Sequence, residues 1–219
     1  MENANFEFLN SELAAKYFID ADVALRSGRH IQDFGNDQRI FHFIDEHYDN
    51  GLKEFYRIFC HMPLIRGMAD NDKYYYLDYP DEGKGKLGKD NRSKELEDDK
   101  VIFGILLLNI FKDKFFEEKA VSWQDLELIF KEGENKESWQ LLLFGKIKPN
   151  YTPSEEQSVK DKVRSILKDF ERLGWIYFSN LDEMKFVIQP GIDRLVTLYG
   201  DVINNIDAIE NYLKNEKLS

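Results

Sequence analysis

Twice along this chain, in the same order, the hydrophobic period switches from helical to strand-like, and that repetition constrains the fold more than any single motif. From about Ser11 to Leu25, Leu13, Tyr17 and Phe18 recur at helical spacing. A second helical region starts at a cap, Asn36 or Asp37, and runs to about Phe59. In it Phe41, Ile44, Tyr48, Phe55 and Phe59 follow at three- and four-residue steps, with Gly51 placed to bend or divide it. The period then falls to that of strands. Pro63–Gly67 and the tyrosine-rich Lys73–Tyr79 flank a polar turn, 68–72. Asp81–Arg92, rich in Gly, Lys and Asp, reads as an exposed connector.

The second half repeats the order. Leu96–Phe116 is apolar almost all round, as a central buried helix is. Val121 begins a short extended piece, and Ser122-Trp123-Gln124-Asp125 opens a helix with a capping box. That helix runs to about Lys131. Residues 132–151 look like an insertion with an apolar patch, Leu141–Phe144. Thr152-Pro153-Ser154-Glu155 then starts a helix that ends at Gly174: a threonine cap, proline at the first helical position and glutamate at the third. Trp175–Phe178 and Lys185–Ile188 are strands, and a last helix runs from Pro190 to about Leu213. Helices followed by a hairpin, twice, predict a mainly α protein with small β-wings (α+β), built as tandem winged-helix domains. The expected boundaries are 1–80 for the first domain, 81–92 for the connector, 93–190 for the second domain and 191–219 for a C-terminal helix.

At 219 residues, 42% hydrophobic and 14% aromatic, the chain has the material for real cores. Its net charge of −11 repels phosphate, so any nucleic-acid contact must use a local basic patch or be organised by partners. Cys60 is the only cysteine, which removes disulfide frameworks and thiolate metal sites and fits a reducing compartment. The N-terminus lacks the basic region of a signal peptide, and the longest apolar run, Val101–Phe111, is too short to span a bilayer. A soluble, cytoplasmic protein is expected.

Chemistry-bearing residues are few. On the helix from Lys160 to Gly174, Val163, Ile166, Leu167, Phe170 and Leu173 fill one stripe, while Lys160, Arg164, Lys168 and Arg172 step by four along another. A cation row at one-turn spacing can follow a phosphate backbone, although Asp161, Asp169 and Glu171 dilute it; the same pattern also describes an ordinary solvated face. Gly83–Asp90 has P-loop spacing but ends in Asp90, where a magnesium-binding hydroxyl belongs, so it reads as a basic loop. His42 and His47 miss the i, i+4 metal geometry, and Cys60 beside His61 has no oxyanion device. No catalytic residues, metal or cofactor are expected.

Ala24-Leu25-Arg26-Ser27-Gly28-Arg29-His30-Ile31 gathers two guanidinium groups and an imidazole around one glycine. Gly28 is suited to closing a helix, and basic residues suit the negative end of its dipole. The segment also resembles the N-terminal signature of the MukE/MksE family, the accessory subunits of bacterial condensin-like complexes. Asp161–Ser165 through Arg172-Leu173-Gly174 is similar to the family's second recognition helix. Ser122–Leu126 resembles its second-domain helix start, and Leu64-Ile65-Arg66 with Tyr76-Leu77 its first wing. The resemblance implies a tandem winged-helix homodimer without enzymatic activity. It implies binding to a kleisin subunit of the MukF or MksF kind and, through it, to an SMC-like ATPase. It further implies a nucleoid-associated role in chromosome condensation and segregation, or in plasmid defence. It gives a DNA-facing role to Arg26, Arg29, Lys162, Arg164 and Arg172, which Lys168 joins from the cation row. Trp139, Tyr151 and Tyr199 are candidate anchors for a kleisin segment, with burial as the alternative. The rival functional class is a dimeric winged-helix transcription regulator, which sits badly with the acidic charge.

Overall fold

The computed structural model describes residues 6–78, 96–112, 119–133 and 136–203. The expected connector, the Gly83–Asp90 motif and the end of the last helix lie outside them. Two compact units, Met1–Glu95 and Leu96–Ser219, divide the chain. Both are mainly helical, with one small antiparallel sheet each.

In the first unit α1 spans Glu12–Arg26. The Ser11 hydroxyl accepts the Ala14 N–H at its start. At its end the Arg29 N–H reaches the Ala24 carbonyl and the Gly28 N–H that of Leu25, with Gly28 at φ 84°. This double closure is a Schellman motif, so Gly28 is the helix stop its position suggests. β1 (Ile31–Gln32) follows, then α2 (Gln38–His47). Asp37 precedes α2 without a side-chain capping bond, because its carboxylate is committed elsewhere. Gly51, at φ 107°, divides the second helical region. Past it, α3 (Lys53–Phe55) is a single α turn that continues as a π-helical turn, Tyr56–Cys60, stopped by His61 in the left-handed conformation.

β2 (Leu64–Ala69) and β3 (Asp72–Leu77) form a hairpin in unbroken register from Leu64–Leu77 to Ala69–Asp72. The turn is therefore Asp70-Asn71, tighter than the 68–72 expected. β1 pairs with β3, giving the sheet order β1-β3-β2. Leu25, Ile31, Phe43, Ile44, Tyr56, Leu64 and Tyr75 are fully buried between this sheet and the helices. Gly67 lies opposite Tyr74, whose ring passes over it so closely that an added Cβ would sit 2.2 Å from the ring.

The second unit is built on α4 (Asp98–Lys112), buried on nearly every side from Val101 to Phe111. Then come β4 (Ala120–Val121), α5 (Trp123–Glu132), α6 (Lys136–Phe144), α7 (Pro153–Leu173), β5 (Ile176–Asn180), β6 (Lys185–Ile188) and α8 (Arg194–Ile203). Capping boxes open α5, from Ser122 to Asp125, and α7, from Thr152 to Glu155. Gly174 closes α7 at φ 73°. The sheet order is β4-β6-β5, so the first unit's arrangement recurs.

One expectation needs correcting. The apolar patch of residues 132–151 is part of the core and not a feature of a loop. These residues contain α6, whose Trp139, Leu141, Leu142 and Leu143 are buried. Trp139 packs against Phe103 of α4 and Phe130 of α5, with ring centroids 5.2 and 4.8 Å apart. Read as a short run between loops, the four apolar residues carried no periodicity that distinguished a surface patch from a helix buried on all sides.

Candidate nucleic-acid interface

Among the described residues, a row of basic side chains lies on α7. Val159, Val163, Ile166, Leu167 and Phe170 sit on its buried face, which fixes the direction of every polar side chain on the helix. The expected stripe is displaced by one turn: Val159 joins it, and Leu173 is only half-buried.

The cations on α7 divide by that geometry. Lys168 and Arg172 are exposed, Arg172 with a guanidinium nitrogen 3.3 Å from Asp169. Arg164 is one-third exposed, 3.7 Å from Asp161. Lys160 leans over the Trp123 ring, 5.5 Å from its centroid, covering an aromatic of α5. Lys162 turns away from this row. Its Nζ donates to Asp99 at 2.7 Å and to the Leu142 carbonyl at 3.1 Å, tying α7 to the start of α4 and the end of α6. Lys162, to which the resemblance gave a DNA-facing role, stands outside the step-of-four row, with its ammonium on these two oxygens. Asp169 is shared with Lys100 at 2.9 Å; this bond holds the Lys100 ammonium above its ordinary pKa against its partial desolvation.

Arg26 and Arg29 stand apart from any such surface. The Arg26 Nε donates to both Asp22 oxygens, at 2.7 and 2.8 Å, and a terminal nitrogen donates to the Cys60 Sγ at 3.0 Å. The Tyr56 hydroxyl donates to the same Asp22 carboxylate at 3.1 Å. Burial lowers the Arg26 pKa, but the hydrogen bond and charge of Asp22 outweigh it, and the guanidinium stays above its usual value. The Arg29 Nε donates to Asp37 at 2.8 and 3.1 Å. Asp37 is 10% exposed and Arg29 25%. Burial pushes the Asp37 carboxyl up, and Arg29 only partly offsets this. These arginines bind the end of α1 to α3 and to the start of α2. The spacing of Asp22 and Arg26 at i, i+4 was the one sequence signal of this role.

The hairpin tips carry acid. Asp70 sits at the first turn, and Asp182 and Glu183 at the second, where the Asn180 Oδ1 accepts both of their N–H groups. Among the described residues no group of three His, Cys, Asp or Glu side chains is placed to hold a metal ion. His47 is buried, with its Nε2 3.1 Å from the Ser11 hydroxyl, while His42 is exposed beside Asp33. No described helix is long and apolar enough to cross a membrane.

Comparison with known proteins gives this geometry its family. The family model described as condensin complex protein MksE matches residues 16–199. The chain belongs to the MksE family. Over 189 residues it is also 30% identical to the chromosome partition protein MukE of Yersinia pseudotuberculosis serotype I (strain IP32953), covering 85% of this chain and 74% of that protein. The MukE of Yersinia pestis matches to the same extent. The MukE/MksE resemblance carried by the Ala24–Ile31 segment and the α5 and α7 motifs is therefore the correct assignment.

Within this MksE-family chain the aromatic anchors inferred from sequence resolve differently. Trp139 is a core residue. Tyr151 stacks on Phe144 at 3.7 Å, and its hydroxyl donates to the Lys146 carbonyl. Tyr199 is half-buried at a kink in α8. The large apolar side chains that do face solvent include Ile19, Val23 and Phe59 in the first unit and Leu128 and Leu198 in the second. Sequence reasoning missed these because each falls within an otherwise well-formed amphipathic or buried segment.

Proposed function

We propose that this chain is the non-catalytic, kleisin-binding subunit of a bacterial SMC-type condensin complex, acting in chromosome condensation and segregation. In this reading residues 1–80 and 93–190 are winged-helix domains, and 191–219 add a C-terminal helix. The carrying observation is the family match across 16–199, supported by the helix, strand, helices, hairpin order that both units share. The protein works in the cytoplasm on the nucleoid as a homodimer. It grips a kleisin of the MukF or MksF kind, and through it serves an SMC-like ATPase. A plasmid-defence complex of the same architecture is the variant of this role.

DNA contact is weak and is made mainly within the assembly. It uses Arg164, Lys168 and Arg172 on α7. Arg26, Arg29, Lys160 and Lys162 serve the fold, because their charges are committed to internal carboxylates or, for Lys160, to a ring. The acidic hairpin tips and the net charge of −11 oppose tight binding by the isolated chain.

Two measurements test the proposal. The purified chain is mixed with a kleisin of the MukF or MksF kind from the same organism, and co-elution is expected; two separate peaks would overturn the kleisin role. DNA affinity of the lone chain is then followed against salt. Weak, sequence-independent binding with a shallow salt slope is expected. Tight, sequence-selective binding would establish the transcription-regulator alternative instead.

A further inference from the structure

The three carboxylates that dilute the cation row of α7 do not share one fate. Glu171 is drawn off the row: its Oε1 accepts the Phe178 N–H of β5 at 3.3 Å. Asp161 stays on it, 59% exposed, with the Gln157 amide 3.2 Å away. Asp169 is divided. One oxygen receives the Lys100 ammonium of α4 at 2.9 Å, and the other lies 3.3 Å from a guanidinium nitrogen of Arg172. At about 100° per residue, Asp169 and Lys162 lie roughly 20° apart on one flank of α7. The first turn of α4 meets that flank with the opposite order of charge, Asp99 to Lys162 at 2.7 Å and Lys100 to Asp169. Glu97, 3.4 Å from the Lys100 ammonium and 78% exposed, is a further acid beside it.

A carboxylate with both oxygens open can take a guanidinium in the two-point fork, which is stronger and more rigid than a single contact. The bond from Lys100 denies Asp169 that fork. Lys100 and Asp169 are 23% and 28% exposed, whereas Arg172 is 59% exposed, so the lysine holds the acid at the flank while the arginine side chain stays in solvent. We infer that Lys100 is a positioning residue for the DNA contact of α7: it occupies Asp169 and so keeps Arg172 able to turn to a phosphate. The inference rests on the α7 contact proposed above and names the residue that sets it from behind. Lys100 touches no phosphate itself and acts through Asp169.

A double-mutant cycle on the full chain tests this, read by fluorescence anisotropy with a labelled mixed-sequence DNA duplex. The salt is held at about 0.1 M, where the screening length is about 10 Å and the charge of Lys100 counts little at a distance. Lys100→Met is expected to weaken binding about threefold, and Lys100→Arg to bind as wild type. In an Asp169→Asn background the same Lys100→Met change has little further effect, because the carboxylate through which it acts is gone. An equal loss in both backgrounds is the signature of a lysine that touches DNA itself, and it overturns the inference; so does wild-type binding by Lys100→Met. Asp169→Asn alone leaves α4 unchanged and is expected to bind about twofold more tightly than wild type, a gain that shrinks in an Arg172→Gln background. A gain of undiminished size there also overturns the inference. Lys168→Glu with Arg172→Glu separates the two readings. If that variant binds the duplex as wild type does, the DNA role of α7 falls and this inference with it. If it loses binding while the Lys100→Met loss is the same with and without Asp169, the DNA role stands and the positioning role of Lys100 falls.

Discussion

Replacing Arg29 by alanine separates a structural arginine from a DNA-facing one. In the fold the Arg29 guanidinium meets an Asp37 carboxylate that is 10% exposed. Breaking a fully buried pair by removing one partner costs about 3–5 kcal/mol, because the remaining charge is stranded. Arg29 itself is one-quarter exposed, so water screens part of that loss, and a cost of about 2 kcal/mol is expected for Arg29→Ala. In a unit the size of Met1–Glu95, each kcal/mol moves the midpoint by about 4–8 °C, so the first unit should melt roughly 10 °C earlier. Calorimetry reads this as an early transition.

The pH dependence carries a sign. The folded Asp37 pKa is already raised, foremost by burial, and losing Arg29 raises it further. A raised carboxyl contributes stability below its unfolded value, near 3.8, and loses it as pH climbs through the folded value. The deficit of Arg29→Ala is therefore largest at neutral pH and shrinks in acid, and adding Asp37→Asn recovers much of it. If Arg29→Ala melts like wild type while DNA retention by the assembled complex falls, the assignment of Arg29 to the fold is wrong.

Other outcomes follow from the same coordinates. Gly67→Ala drives a Cβ into the Tyr74 ring and should cost about 1–3 kcal/mol in urea titrations, whereas Gly145→Ala meets no neighbouring atom and loses only the ease of its positive φ. Lys168→Glu with Arg172→Glu should leave the melting point unchanged and flatten the salt slope of DNA binding by about two, read by fluorescence anisotropy. Lys162→Ala should show the opposite pattern, losing about 1 kcal/mol of stability and none of the salt slope, since its ammonium is held by Asp99 and the Leu142 carbonyl. The Glu155 carboxyl is held far below its ordinary 4.5, first by the bond from Lys148, then by the Thr152 N–H and Lys146. A depressed carboxyl contributes stability above that ordinary value and loses it as pH falls, so Glu155→Gln should flatten the acid limb of the stability profile below about 4.5.

The parts legible in the sequence were those written in local chemistry. Thr152-Pro153-Ser154-Glu155, Ser122–Asp125 and Gly28 each mark a helix end with a specific hydrogen bond, and all three formed it. The tyrosines of 74–76 marked a strand because β-forming aromatics alternate between a sheet's faces. Long-range partners were hidden. Lys162 is tied to Asp99, 63 positions away, and nothing in the spacing around either residue records that. The basic character of Ala24–Ile31 was visible, and so was the i, i+4 spacing of Asp22 and Arg26, whereas Asp37 read as a candidate helix cap and its bond to Arg29 left no mark in the sequence. α6 stayed hidden because a helix buried all round has no polar face from which to take its period.

That concealed helix makes the chain's internal symmetry imperfect. Lys136–Phe144 wedges an extra layer into the second unit, and the first has no counterpart in the described residues. The two units thus share an element order and differ in what fills them.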